Sequence, residues 1–145
     1  MVGNKGVSLV VVLFVTTIVM LLGTALLNMS ANEYLMGSYA RDYTAAYYLA
    51  EAGIQWAIAN LKENPDYRGD SAWKNMGEGQ YRTKVTREYG SDFVNIESSG
   101  KVNKAEVSIN LRAEVYVEID EEAESDPPQV HTHIQVLNWE YRGPN

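Results

Sequence analysis

No charged residue occurs between Lys5 and Glu33. The stretch Val7 to Leu27 is built from Val, Leu, Ile and Met, with Thr16, Thr17 and Thr24 among them. It is about 21 residues, or about 31 Å as a helix at about 1.5 Å per residue. A bilayer hydrocarbon core is about 30 Å thick, and a secretory signal has a shorter apolar region, so the length predicts a spanning helix. Lys5 is the only charge on the short N-terminal side and marks that side as cytoplasmic, which places the rest of the chain outside. Three uses stay open at this point: a discarded export signal, a retained anchor, or an anchor that later becomes a packing element.

Beyond the apolar run the pattern changes without a break. No proline occurs from Gly3 to Asn64. Tyr39, Tyr43, Tyr47, Ala50, Ile54, Ala57, Ile58 and Leu61 follow in steps of mostly three or four residues, which is one face of a helix. Asn32, Arg41, Glu51, Gln55, Asn60 and Lys62 fill the other face. Asn64-Pro65 ends it, because the residue before a proline leaves the helical region. The pattern thus predicts a single helix from about Val7 to Glu63. The stripe Ala50, Ile54, Ile58 and Leu61 needs a partner surface. Gly23 and Gly37 each weaken the helix by about 1 kcal/mol relative to Ala, and mark places of close packing or of local bending.

After Pro65 the chain is rich in Gly, Asp, Asn and Ser, and reads as a loop with a short helical turn at "SAWKNM". From there the period is two. "QYRTKVTRE" puts Tyr81, Thr83 and Val85 on one face, and "DFVNIESSG" does so with Val94 and Ile96 before a turn. "SSGKVNK" is a hairpin connection. Every odd position from Ala105 to Ile119 is apolar, which predicts a strand of about sixteen residues with one buried face. In "VHTHIQVLNWEY" the apolar set moves from even positions (Val130, Ile134, Val136) to odd ones (Leu137, Trp139, Tyr141), and a bulge near Val136 accounts for the change of phase. Together these elements predict an α+β fold, with one helix covering the apolar face of a small antiparallel sheet.

Composition narrows function more by exclusion than by assignment. The net charge of −7 lacks the basic footprint that nucleic acid requires. The absence of cysteine removes disulfides, thiolate metal sites and cysteine nucleophiles. No nucleotide-type glycine loop, GxSxG or HExxH motif occurs, so nothing points to an enzyme or a cofactor. The acidic segment from Asp120 to Pro128 reads as a solvated crossover. As a calcium loop it lacks the glycine turn and closing glutamate. His131 and His133 share one face of the last strand, but as a metal pair they want a third ligand. Tyr34, Tyr39, Tyr43, Tyr47 and Tyr48 are candidates for packing on the sheet or for contact between subunits.

The segments "KGVSLVVVLFVTTIVMLLGTALL" and "LMGSYARDYTAAYYLAEAGIQWAI" resemble the N-terminal region of PilX-like minor pilins of type IV pili. The first resembles a prepilin-type class III signal with a very short basic leader. The second carries the Met36-Gly37-Ser38 step, Arg41 and the block Ala50-Glu51-Ala52-Gly53. The resemblance covers about residues 4 to 60 and implies a pilin-like α+β fold. It divides the chain into a leader (1–6), a transmembrane or filament-core half-helix (7–30), an amphipathic half-helix (31–63) and an antiparallel head (64–145). It further implies cleavage between Gly6 and Val7 by a prepilin peptidase, and N-methylation of Val7. The expected course is a single pass of the inner membrane among lipid, then passage through the pilus assembly platform into a cell-surface filament of other pilins. Major pilins have Phe first and Glu fifth in the mature chain, where this chain has Val7 and Val11. Loss of that glutamate is usual for PilX-like minor pilins and for the tip pseudopilin of type II secretion. The resemblance leaves two other readings open, a type II secretion pseudopilin and a non-polymerising single-span surface protein with a ligand-binding or adhesive head.

Overall fold

The computed structural model describes residues 4–120 and 129–142. Helix α1 runs from Asn4 to Glu63. Six strands follow: β1 (Gly69–Asp70), β2 (Lys74–Met76), β3 (Gly79–Arg87), β4 (Phe93–Val102), β5 (Ala105–Asp120) and β6 (Gln129–Arg142). All pair antiparallel in one sheet of order β1-β3-β4-β5-β6, with β2 also on β3. The chain divides into two compact units, Met1–Ala40 and Arg41–Asn145. The fold is pilin-like α+β, a long N-terminal helix with a six-stranded antiparallel sheet.

In the second unit, residues 41–63 of α1 lie on one face of the sheet. Ala46, Ala50, Ile54, Ala57 and Leu61 are fully buried against Val85 of β3, Val94 and Ile96 of β4, and Val107, Ile109 and Leu111 of β5. The period-two pattern of β5 produces this directly. Val107, Ile109, Leu111, Ala113 and Val115 face the helix, while the residues between them face outward. Each fully buried Ile, Leu or Val contributes roughly 1.5–3 kcal/mol relative to an exposed one.

The sheet departs from the sequence reading at two places. "SAWKNM" is not helical. Lys74, Asn75 and Met76 form β2 and pair with Tyr81, Gln80 and Gly79. Lys74 also lies over the Trp56 ring, with Nζ 3.6 Å from its centre, a cation–π contact that favours the extended course. The turn expected at Ser98-Ser99-Gly100 is also absent. β4 continues through these residues to Val102, and the chain reverses at Asn103-Lys104. All three are buried strand: the helix comes too close to Ser98 and Gly100 for larger side chains, and Ser99, on the other face, shares a hydrogen bond with Ser108. The change of phase in β6 is a bulge: Arg112 faces Asn138 and Ala113 faces Val136, leaving Leu137 as the extra residue. The bulge places Ile134 and Val136 before it, and Trp139 and Tyr141 after it, on the helix side of the sheet, opposite Val115, Ala113, Leu111 and Ile109.

Candidate assembly helix

The first unit is helical from Asn4 to Ala40. Its apolar side chains are exposed all round, from Val7 through Leu9, Phe14, Met20 and Leu22 to Leu27 and Met29. It is long and apolar enough to cross a membrane, its most apolar stretch averaging 2.7 in hydropathy. The threonines satisfy their hydroxyls within the helix. Thr16 Oγ1 donates to the carbonyls of Val12 and Leu13, Thr17 Oγ1 to Leu13 and Thr24 Oγ1 to Leu21, at 2.8–3.0 Å. The three threonine hydroxyls of this stretch therefore do not need water, which suits burial in hydrocarbon or among apolar helices. Gly6 and Val7 lie near the start of α1, and Val11 is exposed where a carboxylate would reach out from the helix. The helix is unbroken through Gly23 and Gly37, with nothing close to either that a methyl group would meet.

In the second unit the block Ala50-Glu51-Ala52-Gly53 straddles the boundary between buried and exposed faces. Ala50 and Gly53 are buried, whereas Glu51 and Ala52 are half-exposed. Ala50, Ile54 and Leu61 are fully buried, and Ile58 is partly buried at the margin of the core. Ala46, Ala50, Gly53 and Ala57 make a small-residue face, and the sheet answers with small residues of its own. A methyl group on Gly53 would collide with Ser98 Oγ and come within 2.8 Å of Thr83 Oγ1. One on Gly100 would collide with the Ala46 carbonyl oxygen and lie 2.5 Å from the Ala50 nitrogen. The backbones of helix and β4 thus approach as closely as glycine allows.

A polar latch at Asp42 was not visible in the sequence. Asp42 is nearly buried, and its Oδ2 accepts a hydrogen bond from Asn103 Nδ2 at 2.8 Å. Asn103 sits in the β4–β5 turn at φ 52°, a left-handed conformation that Asn tolerates better than most residues. Its neighbour Arg41 bridges Asp42 at 3.5 Å. The only hint was an aspartate and an asparagine with no assigned work. The tyrosines divide by position. Tyr43 and Tyr47 pack on Tyr141 of β6, with ring centres 6.4 and 5.8 Å apart, whereas Tyr34, Tyr39 and Tyr48 are exposed.

His131 and His133 both lie on β6. His133 stacks on Tyr116 and its Nε2 is 3.2 Å from Glu118 Oε2. No cluster of three or more His, Cys, Asp or Glu side chains fit to hold a metal occurs among the described residues. The acidic segment 120–126, considered as a calcium loop, lies outside the described residues apart from the backbone of Asp120.

Residues 5–55 match the family model described as PilX N-terminal. The chain carries a PilX N-terminal domain of the type IV pilus minor pilin kind. This PilX N-terminal domain includes the exposed apolar stretch and the Ala-Glu-Ala-Gly block, and it ends one residue past Ile54. The sheet lies beyond the matched residues. No curated protein and no solved structure matches the chain.

Proposed function

We propose that this chain is a minor pilin, a structural and assembly subunit of a type IV pilus-like filament. The observation that carries the reading is the first unit of α1, a helix without charge between Lys5 and Glu33 and with its apolar side chains exposed, inside a PilX N-terminal domain. Before assembly the helix anchors the protein in the inner membrane, with Lys5 on the cytoplasmic side and the sheet outside. A prepilin peptidase removes residues 1–6, and Val7 becomes the methylated N-terminus. The assembly platform then transfers the subunit into the filament, where its apolar arm packs among those of other pilins. One helix thus serves first as an anchor and then as polymer core.

Position in the filament follows from electrostatics. Bundled arms carry each new N-terminal amine into an apolar core, and an unpaired buried charge costs several kcal/mol. Val11 offers no carboxylate to a neighbour's amine, and the first acidic residue after Lys5 is Glu33. A subunit unable to neutralise its neighbour fits an end better than the shaft, so this one is sub-stoichiometric, sits at or near the tip and primes assembly. The test is intact-mass spectrometry and immunogold labelling of sheared filaments from the host. The expected chain begins at methylated Val7 and labels filament ends. A chain that keeps Met1 to Gly6 and stays in the membrane fraction would make it a non-polymerising surface protein instead.

A further inference from the structure

The four long strands β3 to β6 contain three asparagines, Asn95, Asn110 and Asn138, and all three lie together on the outer face of the sheet. Asparagine is disfavoured in strands, and three on adjacent strands at one spot run against local propensity. Departures of that kind are expected where a surface has work other than folding. Register explains the grouping. Asn95 of β4, Arg112 of β5 and Asn138 of β6 stand directly opposite one another in one row. In the next row, Lys84, Glu97, Asn110 and Glu140 are likewise in register across four strands. The two rows line a shallow depression of about 330 Å³.

Apart from the Thr86 hydroxyl, which donates to the Asn95 carbonyl, the side-chain hydrogen-bonding capacity of this depression is unused. None of the three asparagine side chains has a partner among the described residues. Lys84 and Glu97 face each other directly and form no ion pair, nor does Glu140 form one with Arg112. Arg112 is braced instead by the Phe93 ring, 4.9 Å from its guanidinium carbon, with its N–H groups left free. Side-chain amides, carboxylates and cations together offer donors and acceptors side by side on a rigid sheet. Two positive and two negative groups cancel, so the depression does not select a phosphate or another anion. Polar and apolar atoms share its lining evenly, so it does not select a purely apolar ligand. Alternating donors and acceptors without net charge match hydroxyl groups, each of which both donates and accepts. We propose that the outer face of the sheet, at Asn95, Asn110, Arg112 and Asn138, is a binding site for a neutral saccharide.

The inference does not depend on polymerisation, since the site lies wholly within the second unit. The test uses the full chain in lauryldimethylamine oxide, a detergent without a sugar headgroup. Saturation-transfer NMR and titration calorimetry are run against maltohexaose, chitohexaose and a fucosylated neutral oligosaccharide, with hexaglycine and inorganic phosphate as non-saccharide probes. The comparison of hexose, N-acetylhexosamine and deoxyhexose oligomers separates glucan, chitin-like and host-type glycan sources. Binding is expected for at least one saccharide. It should weaken at least about tenfold in Asn110→Ser/Asn138→Ser, with the melting temperature unchanged because both sites are on the outer face. Glu97→Gln, which unbalances the charge but keeps the shape, tests the same face and should also weaken binding. Three results would each overturn the proposal: no saccharide binding, equal binding by wild type and the double variant, or preferential binding of hexaglycine or phosphate, the former marking a polypeptide docking face.

Discussion

Gly100→Ala adds one methyl group where helix and sheet are closest. That methyl would overlap the Ala46 carbonyl oxygen and lie 2.5 Å from the Ala50 nitrogen and 2.9 Å from Leu49 Cβ. The two nearest atoms are helix backbone and cannot rotate away, so the helix must lift from β4 or slide along it. Overpacking a core with a methylene typically costs about 1–3 kcal/mol, and that range includes sites where side chains give way. Here a loss of about 3 kcal/mol is expected. Every kcal/mol shifts the midpoint of a domain this size by roughly 4–8 °C, so melting should fall by at least about 12 °C. Trp56, Trp73 and Trp139 all lie in the second unit, so near-UV circular dichroism or tryptophan fluorescence of the full chain in detergent reports the right transition. Gly23→Ala is the control. Nothing surrounds that position, and the second unit should melt unchanged. A Gly100→Ala protein melting within a few degrees of wild type would show that the helix is not seated on β4 at this distance.

Ile54→Ala removes a fully buried side chain and should cost about 2–5 kcal/mol in denaturant unfolding, whereas Tyr89→Ala, at a nearly fully exposed site, should cost almost nothing; equal effects would mean the stripe is not core. Asn103→Gly, which keeps the left-handed turn but leaves the nearly buried Asp42 carboxylate without its amide donor, should cost about 1–3 kcal/mol, while Asp42→Ala, which leaves the exposed Asn103 amide to water, should cost less; the reverse order would deny the latch. Val11→Glu should raise the share of this subunit along the filament shaft as counted by immunogold, and an unchanged distribution would remove the electrostatic argument for a tip position.

The helix and strands β3 to β6 were legible because each carries a clean period. The stripe through Ile54 and Leu61 repeats at helical spacing, and the odd positions of β5 are apolar without exception. Even the bulge could be read, since Leu137 breaks the alternation where it breaks the pairing. What failed was local composition read as local structure. Ser98, Ser99 and Gly100 look like a turn, yet they are strand: Gly53 passes over Ser98, Ala46 and Ala50 pass over Gly100, and Ser99 bonds Ser108 on the other face. Ser71 to Met76 look like loop or helix, yet Trp56 and the free edge of β3 draw Lys74 to Met76 into a strand. In both cases a helix residue more than fifteen positions away takes part, Ala46 over Gly100 and Trp56 under Lys74, where a local pattern carries no record of it.

The same reasoning explains why the two candidate surfaces differ in legibility. The assembly helix is continuous in sequence, so its chemistry is written in one run: a charge-free stretch, then a small-residue face closed by Ala50 and Gly53. The outer depression exists only through register. Asn95, Asn110 and Asn138 are isolated residues on three strands, each unremarked alone, until the pairing of β4 with β5 and of β5 with β6 brings them side by side. The bulge at Leu137 is essential to that arrangement. Were Leu137 paired as a regular strand residue instead of bulged out, Asn138 would turn to the helix side of the sheet and Trp139 would turn outward. Looping Leu137 out of the ladder therefore does two things at once. It keeps Trp139 and Tyr141 over the core face, and it delivers Asn138 and Glu140 to the outer row. Deleting Leu137 closes the bulge but keeps Val136 opposite Ala113 and Asn138 opposite Arg112, so saccharide binding should survive it, whereas Asn110→Ser/Asn138→Ser should weaken binding.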